Sequence, residues 1–265
     1  MMHADAFDRF HAAESRLHHL DPRVKVVLTV FFILGNALLP DAAWLAFGLA
    51  WLFLLIANDQ SQLGLWFTFR RSLLAAPFAL AAASAIFSPL GSPLTSFHFL
   101  WLNLTVTDVG LLRFVSILIR SWLSVQAAVL LVATTQFPDL IHALEHLRVP
   151  KALTTIIAFL YRYLFVLTDE VLRLLRAREA RSAGLPGQKR GGSLLWRAKV
   201  AGNMAGQLFV RSFERSDRIY NAMAARGYSG ALRTLHPHQM TASDWRFLSL
   251  ALAFLALIQL TGWIR

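Results

Sequence analysis

Five apolar runs decide what this chain can become. They cover residues 24–39, 43–57, 63–87, 109–133 and 245–263. A segment inside a bilayer has no water to satisfy its backbone N–H and C=O groups, so such runs become helices. A crossing takes about 20 residues. The first two runs are short for that and predict a tight helical hairpin, extended at each end by flanking residues. The third is interrupted by Arg70-Arg71 at a cytoplasmic boundary, which leaves 72–87 as its membrane part, kinked at Pro77. Composition agrees: 56% of the residues are hydrophobic and 15% charged, where soluble domains carry about 25% charge. This disfavours a soluble globular enzyme, a disordered chain and a disulfide scaffold. With no cysteine, Cys-ligated metal and thiol catalysis are also excluded.

The remaining segments order themselves around these runs. Residues 1–23 are polar and predict a cytoplasmic arm, with no cleavable leader. Asp21-Pro22 reads as a helix cap followed by a first-turn proline. Asp21 and Arg23 read as a capping or interfacial pair. Residues 88–107, with Pro89, Gly91 and Pro93, predict an exterior loop, partly re-entrant. Arg113 and Arg120 are seven apart and share a helix face, where they read as packing or anchoring groups or, alternatively, as contacts that hold a neighbouring subunit. The expected fold class is all-α: a polytopic membrane helical bundle with a cytoplasmic coupling domain of long helices. The divisions are 1–23 (arm), 24–133 (about four membrane helices), 134–242 (coupling region) and 243–265 (last membrane helix).

The net charge of +11 superficially suggests nucleic acid. Its distribution argues otherwise. Residues 136–240 hold 16 basic and 7 acidic side chains, against 10 and 8 in the rest of the chain. A basic insert between apolar segments is what the positive-inside bias predicts for a cytoplasmic region, and it suits anionic membrane lipid. No nucleic-acid-reading module accompanies it.

Within the insert, Pro138 opens a short helix that Pro150 ends. A long helix follows from 151 to about 183, then a glycine- and proline-rich break (Gly184, Pro186, Gly187, Gly191, Gly192), then a second long helix over 193–225. Residues 153–167 are apolar enough for a sixth span. Arg162 and the pair Asp169-Glu170 favour instead an amphipathic helix against the membrane face or the bundle base. Asp169 and Glu170 point apart on a helix, so they read as partners for Arg162, Arg173 or subunit charges, not as a catalytic pair. Both long helices end alike, in Ala180-Arg181-Ser182 and Ala225-Arg226-Gly227. A small residue on each side of an arginine lets a partner's backbone approach, and the guanidinium fork suits a carboxylate. Ordinary C-capping explains either end alone; the pair suggests docking.

The histidines are weaker signals. His142 and His146 share a helix face, but two ligands do not complete a metal site. His3, His18, His19, His236 and His238 lie in boundary segments. No metal is assigned to this chain. No P-loop is present either: 184–190 lacks the glycine spacing and a Ser/Thr after Lys189.

Taken in order, Leu20-Asp21-Pro22-Arg23-Val24-Lys25, Thr135-Gln136-Phe137-Pro138-Asp139-Leu140, Leu147-Arg148-Val149-Pro150, Tyr161-Arg162-Tyr163-Leu164-Phe165, Asp169-Glu170 and the two arginine triplets resemble the transmembrane T component of energy-coupling factor (ECF) transporters, of the CbiQ cobalt-transport type. The resemblance implies that Arg181 and Arg226 lie on coupling helices docked into two ATP-binding-cassette ATPases, CbiO-like, which use ATP and Mg2+. It implies a CbiM-like substrate-binding membrane subunit, a small CbiN-like accessory subunit, no cofactor on this chain, and a bacterial inner-membrane location. Ser182 departs from the Ala-Arg-Gly pattern and loses glycine's backbone freedom, so the two contacts are expected to be unequal. Coupling subunits for nickel or a vitamin, a non-transport scaffold and a membrane-embedded lipid enzyme are the alternatives.

Overall fold

Asp21 starts the first long helix as its chemistry dictates. Its carboxylate accepts the Arg23 N–H at 2.8 Å, and Pro22 takes the first helical position, where no N–H is needed. The computed structural model describes residues 10–87, 92–99, 102–182, 193–230 and 240–264. The helices are α1 (Arg16–His19), α2 (Pro22–Leu38), α3 (Trp44–Ser61), α4 (Leu65–Ser72), α5 (Ala76–Ala82), α6 (Asp108–Thr134), α7 (Phe137–His146), α8 (Lys151–Arg181), α9 (Leu194–Ala225) and α10 (Ala242–Trp263). The glycine- and proline-rich break, His3, His236 and His238 lie outside the described residues.

Among the described residues the fold is helical but for one element. The segment expected to be an exterior, partly re-entrant loop contains an antiparallel hairpin of β1 (Pro93–Phe99) and β2 (Leu102–Thr107). Ser-Phe-His-Phe (96–99) and Leu-Asn-Leu-Thr-Val-Thr (102–107) alternate apolar and polar residues, a period-2 signal that the neighbouring prolines and glycine obscured. Thr107 ends β2 and caps α6, its hydroxyl accepting the Gly110 N–H at 3.2 Å.

The third apolar run is not a single kinked helix. α4 ends at Ser72, a 3-10 turn fills Leu73–Ala75, and α5 restarts with Pro77 in its first turn. The break precedes Pro77 because its ring opposes the carbonyl four residues earlier. A second 3-10 turn covers Ala83–Phe87. Gly110 on α6 lies so close to the Ile86 and Ala85 carbonyls of this turn that a Cβ would strike backbone.

The described residues fall into two units. One contains residues 8–146 and 237–265. Its core lies where α2, α3, α6 and α10 meet: Phe32, Ala46, Phe47, Ala50, Leu54, Leu123, Ala127, Leu130 and Ile258 are buried. The alanines let helix backbones approach, which matters where lipid offers no hydrophobic drive for association. Large apolar side chains crowd the helix exteriors, among them Leu45, Leu80, Leu250 and Trp263. The other unit contains the described residues of 147–236, in which α8 packs on α9. Among the described residues, four helical stretches are long and apolar enough to cross a membrane: Leu65–Ile86, α6, α8 and α10. α8 qualifies because its one mid-helix charge, Arg162, leaves the rest of the N-terminal half apolar.

Candidate functional site

α8 begins where Pro150 breaks the preceding chain. The Pro150 carbonyl accepts the N–H groups of Leu153 (2.9 Å) and Thr154 (3.3 Å). α9 begins at Ser193, whose hydroxyl accepts the Trp196 N–H at 3.3 Å. The two helices meet where Glu170 forms ion pairs with Arg211 of α9 and with Arg173 at 3.6 Å. Arg211 was not among the residues singled out from the sequence. It lies 41 positions away, and a chain-local signal does not reach that far. Arg162 and Asp169 are exposed and form none of the ion pairs among the described residues.

From this crossing each helix runs on to its arginine triplet. At 1.5 Å per residue, Arg181 lies about 16 Å beyond Glu170 and Arg226 about 22 Å beyond Arg211, each along its own axis. Ala180 and Arg181 are the last residues of α8, and Ser182 caps it. The Ser182 N–H donates to the Arg178 and Glu179 carbonyls (3.0 and 3.2 Å), and its hydroxyl to Arg178 at 2.9 Å. Its φ is −100°. α9 ends at Ala225, with Arg226 as the cap and Gly227 at φ +82°. The Gly227 N–H donates to Ala224 and the Tyr228 N–H to Met223, both at 3.0 Å. This is a Schellman ending, which needs the left-handed residue that glycine supplies.

The triplets are therefore one residue out of register. Arg181 is still helical, whereas Arg226 is already the cap. Both arginines are exposed, and neither forms an ion pair among the described residues. A free guanidinium at a helix C-terminus is electrostatically at ease beside the last carbonyls and leaves its donors available to a partner.

The other unit holds the remaining singled-out residues. Asp21 is buried, with Arg23 Nε 3.7 Å from its carboxylate. The Asp21 N–H donates at 3.5 Å to Asp244, a first-turn residue of α10 that completes a capping box with the N-cap Thr241, accepting its N–H (2.8 Å) and hydroxyl (2.7 Å). The starts of α2 and α10 are thus tied together. Pro138 lies in the first turn of α7.

Lys25 is buried. Its Nζ donates to the carbonyls of His18 (3.1 Å) and Thr134 (3.0 Å). His18 is held by Ser15, whose hydroxyl is 2.6 Å from Nδ1, and by the His11 carbonyl 2.9 Å from Nε2. Partial burial, followed by the Lys25 charge among the lowering causes, holds His18 below its ordinary value. His146 is also held low, by desolvation and then by Arg23. Among the described residues no group of three or more His, Asp or Glu side chains is placed to hold a metal ion.

At the opposite end of α2, Asp41 in the turn to α3 takes Arg120 at 2.7 Å and Arg113 at 3.3 Å. The shared face of the two arginines serves one carboxylate.

A family model described as CbiQ, cobalt transport protein, matches residues 13–238. The chain belongs to the CbiQ family. It is 26% identical to an energy-coupling factor transporter transmembrane protein EcfT of Brevibacillus brevis, over the whole of both chains. It is 27% identical to an EcfT of Limosilactobacillus fermentum, covering 91% of this chain and 89% of that one. An uncharacterised protein of Methanocaldococcus jannaschii is 26% identical over 96% of this chain and 85% of its own. This CbiQ-family protein is a multi-pass membrane T component of the ECF-transporter type, a non-catalytic transporter subunit.

Proposed function

We propose that this T component serves a cobalt importer and that Arg181 and Arg226 are its two ATPase contacts. The observation that carries the docking reading is the pair of exposed arginine triplets, each ending a long helix beyond the α8–α9 crossing. In this reading residues 134–242 form a cytoplasmic coupling region, 1–23 a cytoplasmic arm, and 24–133 with 243–265 the membrane part, in a bacterial inner membrane. Two CbiO-like ATPases supply ATP and Mg2+ chemistry. A CbiM-like subunit carries the ion, with a CbiN-like accessory subunit, and this chain binds no cofactor itself. Closure of the ATPases displaces the ends of α8 and α9, and their crossing passes the displacement toward the membrane part as a two-state lever. Ala180 and Ala225 leave room for close approach, and Ser182 and Gly227 make the two contacts unlike. Cobalt rests on the description of the matched family.

The test co-expresses the chain with its ATPases and substrate subunit, comparing wild type with Arg181→Glu, Arg226→Glu and the double variant. Each reversal is expected to reduce ATPase retention by about tenfold or more. Full assembly and uptake in the double variant sinks the docking reading. Uptake of radioactive cobalt, competed by nickel, decides the ion. Transport of nickel or a vitamin with no cobalt uptake overturns that part alone.

A further inference from the structure

Between α8 and α9 lies a cavity of about 120 Å³ lined by Leu167, Glu170, Leu208, Arg211, Arg215 and Arg218, with Ser212 and Glu214 at its side. It is far smaller than the several hundred Å³ of an organic-ligand pocket and suits one small charged group. Arg211, Arg215 and Arg218 follow the helical i, i+4, i+7 spacing and fall within about 60° of one another on α9. Arg211 is committed to Glu170, which Arg173 also engages. Arg215 is only half-buried and Arg218 exposed, and neither forms an ion pair among the described residues, although Glu214 is near in sequence. Three cations over two carboxylates leave the lining positive.

The position of the cavity along α8 points to the occupant. Between Lys151 and Leu167 the helix carries a single charge, the exposed Arg162, while Leu153, Ile156, Leu160 and Val166 are exposed apolar side chains. Beyond Glu170 it carries Arg173, Arg176, Arg178 and Arg181. Leu167 and Glu170 therefore mark the level where a lipid-compatible surface becomes a water-compatible one, and this is where headgroup phosphates lie. Arginine forks match phosphate oxygens in pairs. We infer that Arg215 and Arg218 bind the phosphate of an anionic phospholipid, which fastens the α8–α9 crossing to the membrane surface. The site is separate from the arginine triplets and does not depend on the ATPase reading.

The test places the full chain in nanodiscs of phosphatidylcholine with a fraction of phosphatidylglycerol and counts retained lipids by native mass spectrometry. Wild type is expected to retain phosphatidylglycerol preferentially. Arg215→Gln/Arg218→Gln is expected to lose this preference by roughly fivefold per charge removed, and Arg215→Lys/Arg218→Lys to keep part of it. If the double glutamine variant fails to insert, Arg218→Gln alone, a change at an exposed and unpaired side chain, gives the same reading at half the effect. Undiminished preference in the glutamine variants overturns the proposal. So does displacement of the lipid by inorganic phosphate but not by chloride at matched ionic strength, which would mark a free-phosphate site. A preference that vanishes in wild type once ATPases are bound would mark a protein carboxylate site, and it too overturns the lipid assignment.

Discussion

Lys25 Nζ lies 3.0 Å from the carbonyl oxygen of Thr134, the last residue of α6. A buried ammonium so placed satisfies a carbonyl left open by the helix end and complements the helix dipole there. It also ties the start of α2 to the point from which the chain enters α7. Lys25→Met is expected to cost about 1.5–3 kcal/mol, the range for hydrogen bonds to charged groups. Thermal unfolding in detergent, followed by helical circular dichroism, measures this. A midpoint equal to wild type would show that the contact carries no stability.

Asp41 holds two arginines, so its removal is expected to matter more than the removal of either one. Asp41→Asn leaves Arg120, whose side chain is 20% exposed, without its carboxylate. With Asp41 itself 37% exposed, solvent screens the pair, and we expect a loss of about 1–2 kcal/mol. Arg113→Gln, at a more exposed and longer contact, is expected to lose less than half of that. Equal losses in the two variants would show that Arg113, and not Arg120, carries the contact.

Acid is expected to loosen the amino-terminal arm. His18 is held below the ordinary histidine value, so the unfolded arm binds protons more readily than the docked one. The docked arm keeps its full stability above about pH 6.5, the unperturbed value, and loses it as pH falls through the lower docked value. The Nε2 donor to His11 and the Nδ1 acceptor from Ser15 fit the neutral ring. Amide exchange over residues 10–21 at neutral and mildly acidic pH measures this. His18→Gln is expected to flatten the change. A slope that survives in that variant would assign the effect to another group, such as His146, which charges in the same direction.

The two triplets are expected to respond differently to exchange of their last residues. Gly227→Ala forces a side chain into φ +82° and is expected to cost about 1–2 kcal/mol locally, read as faster amide exchange at Tyr228. Ser182→Gly, at φ −100°, needs no left-handed residue and is expected to cost less than about 1 kcal/mol, mainly through loss of the hydroxyl bond to Arg178. A destabilised Ser182→Gly variant beside a neutral Gly227→Ala would reverse this account.

Much of the helical layout could be read from the chain itself, because it rests on neighbours in sequence. Apolar runs require helices in lipid, and Asp21-Pro22 and Ser193 mark helix starts through side chains that reach only two or three residues. The hairpin at 93–107 was obscured for the opposite reason: Pro93 and the turn residues before it speak locally for a loop, while its pairing is made across two strands. The break before Pro77 shows the same competition within one helix, since a proline acts on the carbonyl behind it.

The arginine triplets, too, were visible as local patterns at helix ends. Their one-residue offset was not, because it depends on how each helix is closed by carbonyls three and four residues back. What the sequence determined by itself was a membrane-embedded helical chain with a basic insert ending twice in a small–Arg–small motif. Tertiary structure alone decided which charges meet. Lys25 finds Thr134, Asp41 gathers Arg113 and Arg120, and Arg211 joins Glu170 beside its expected near neighbour Arg173, while the other expected partner, Arg162, does not. Apart from Arg173, each partner lies tens of residues away, and where solvent is scarce a charge pairs with whatever the packing of helices brings within about 3–4 Å.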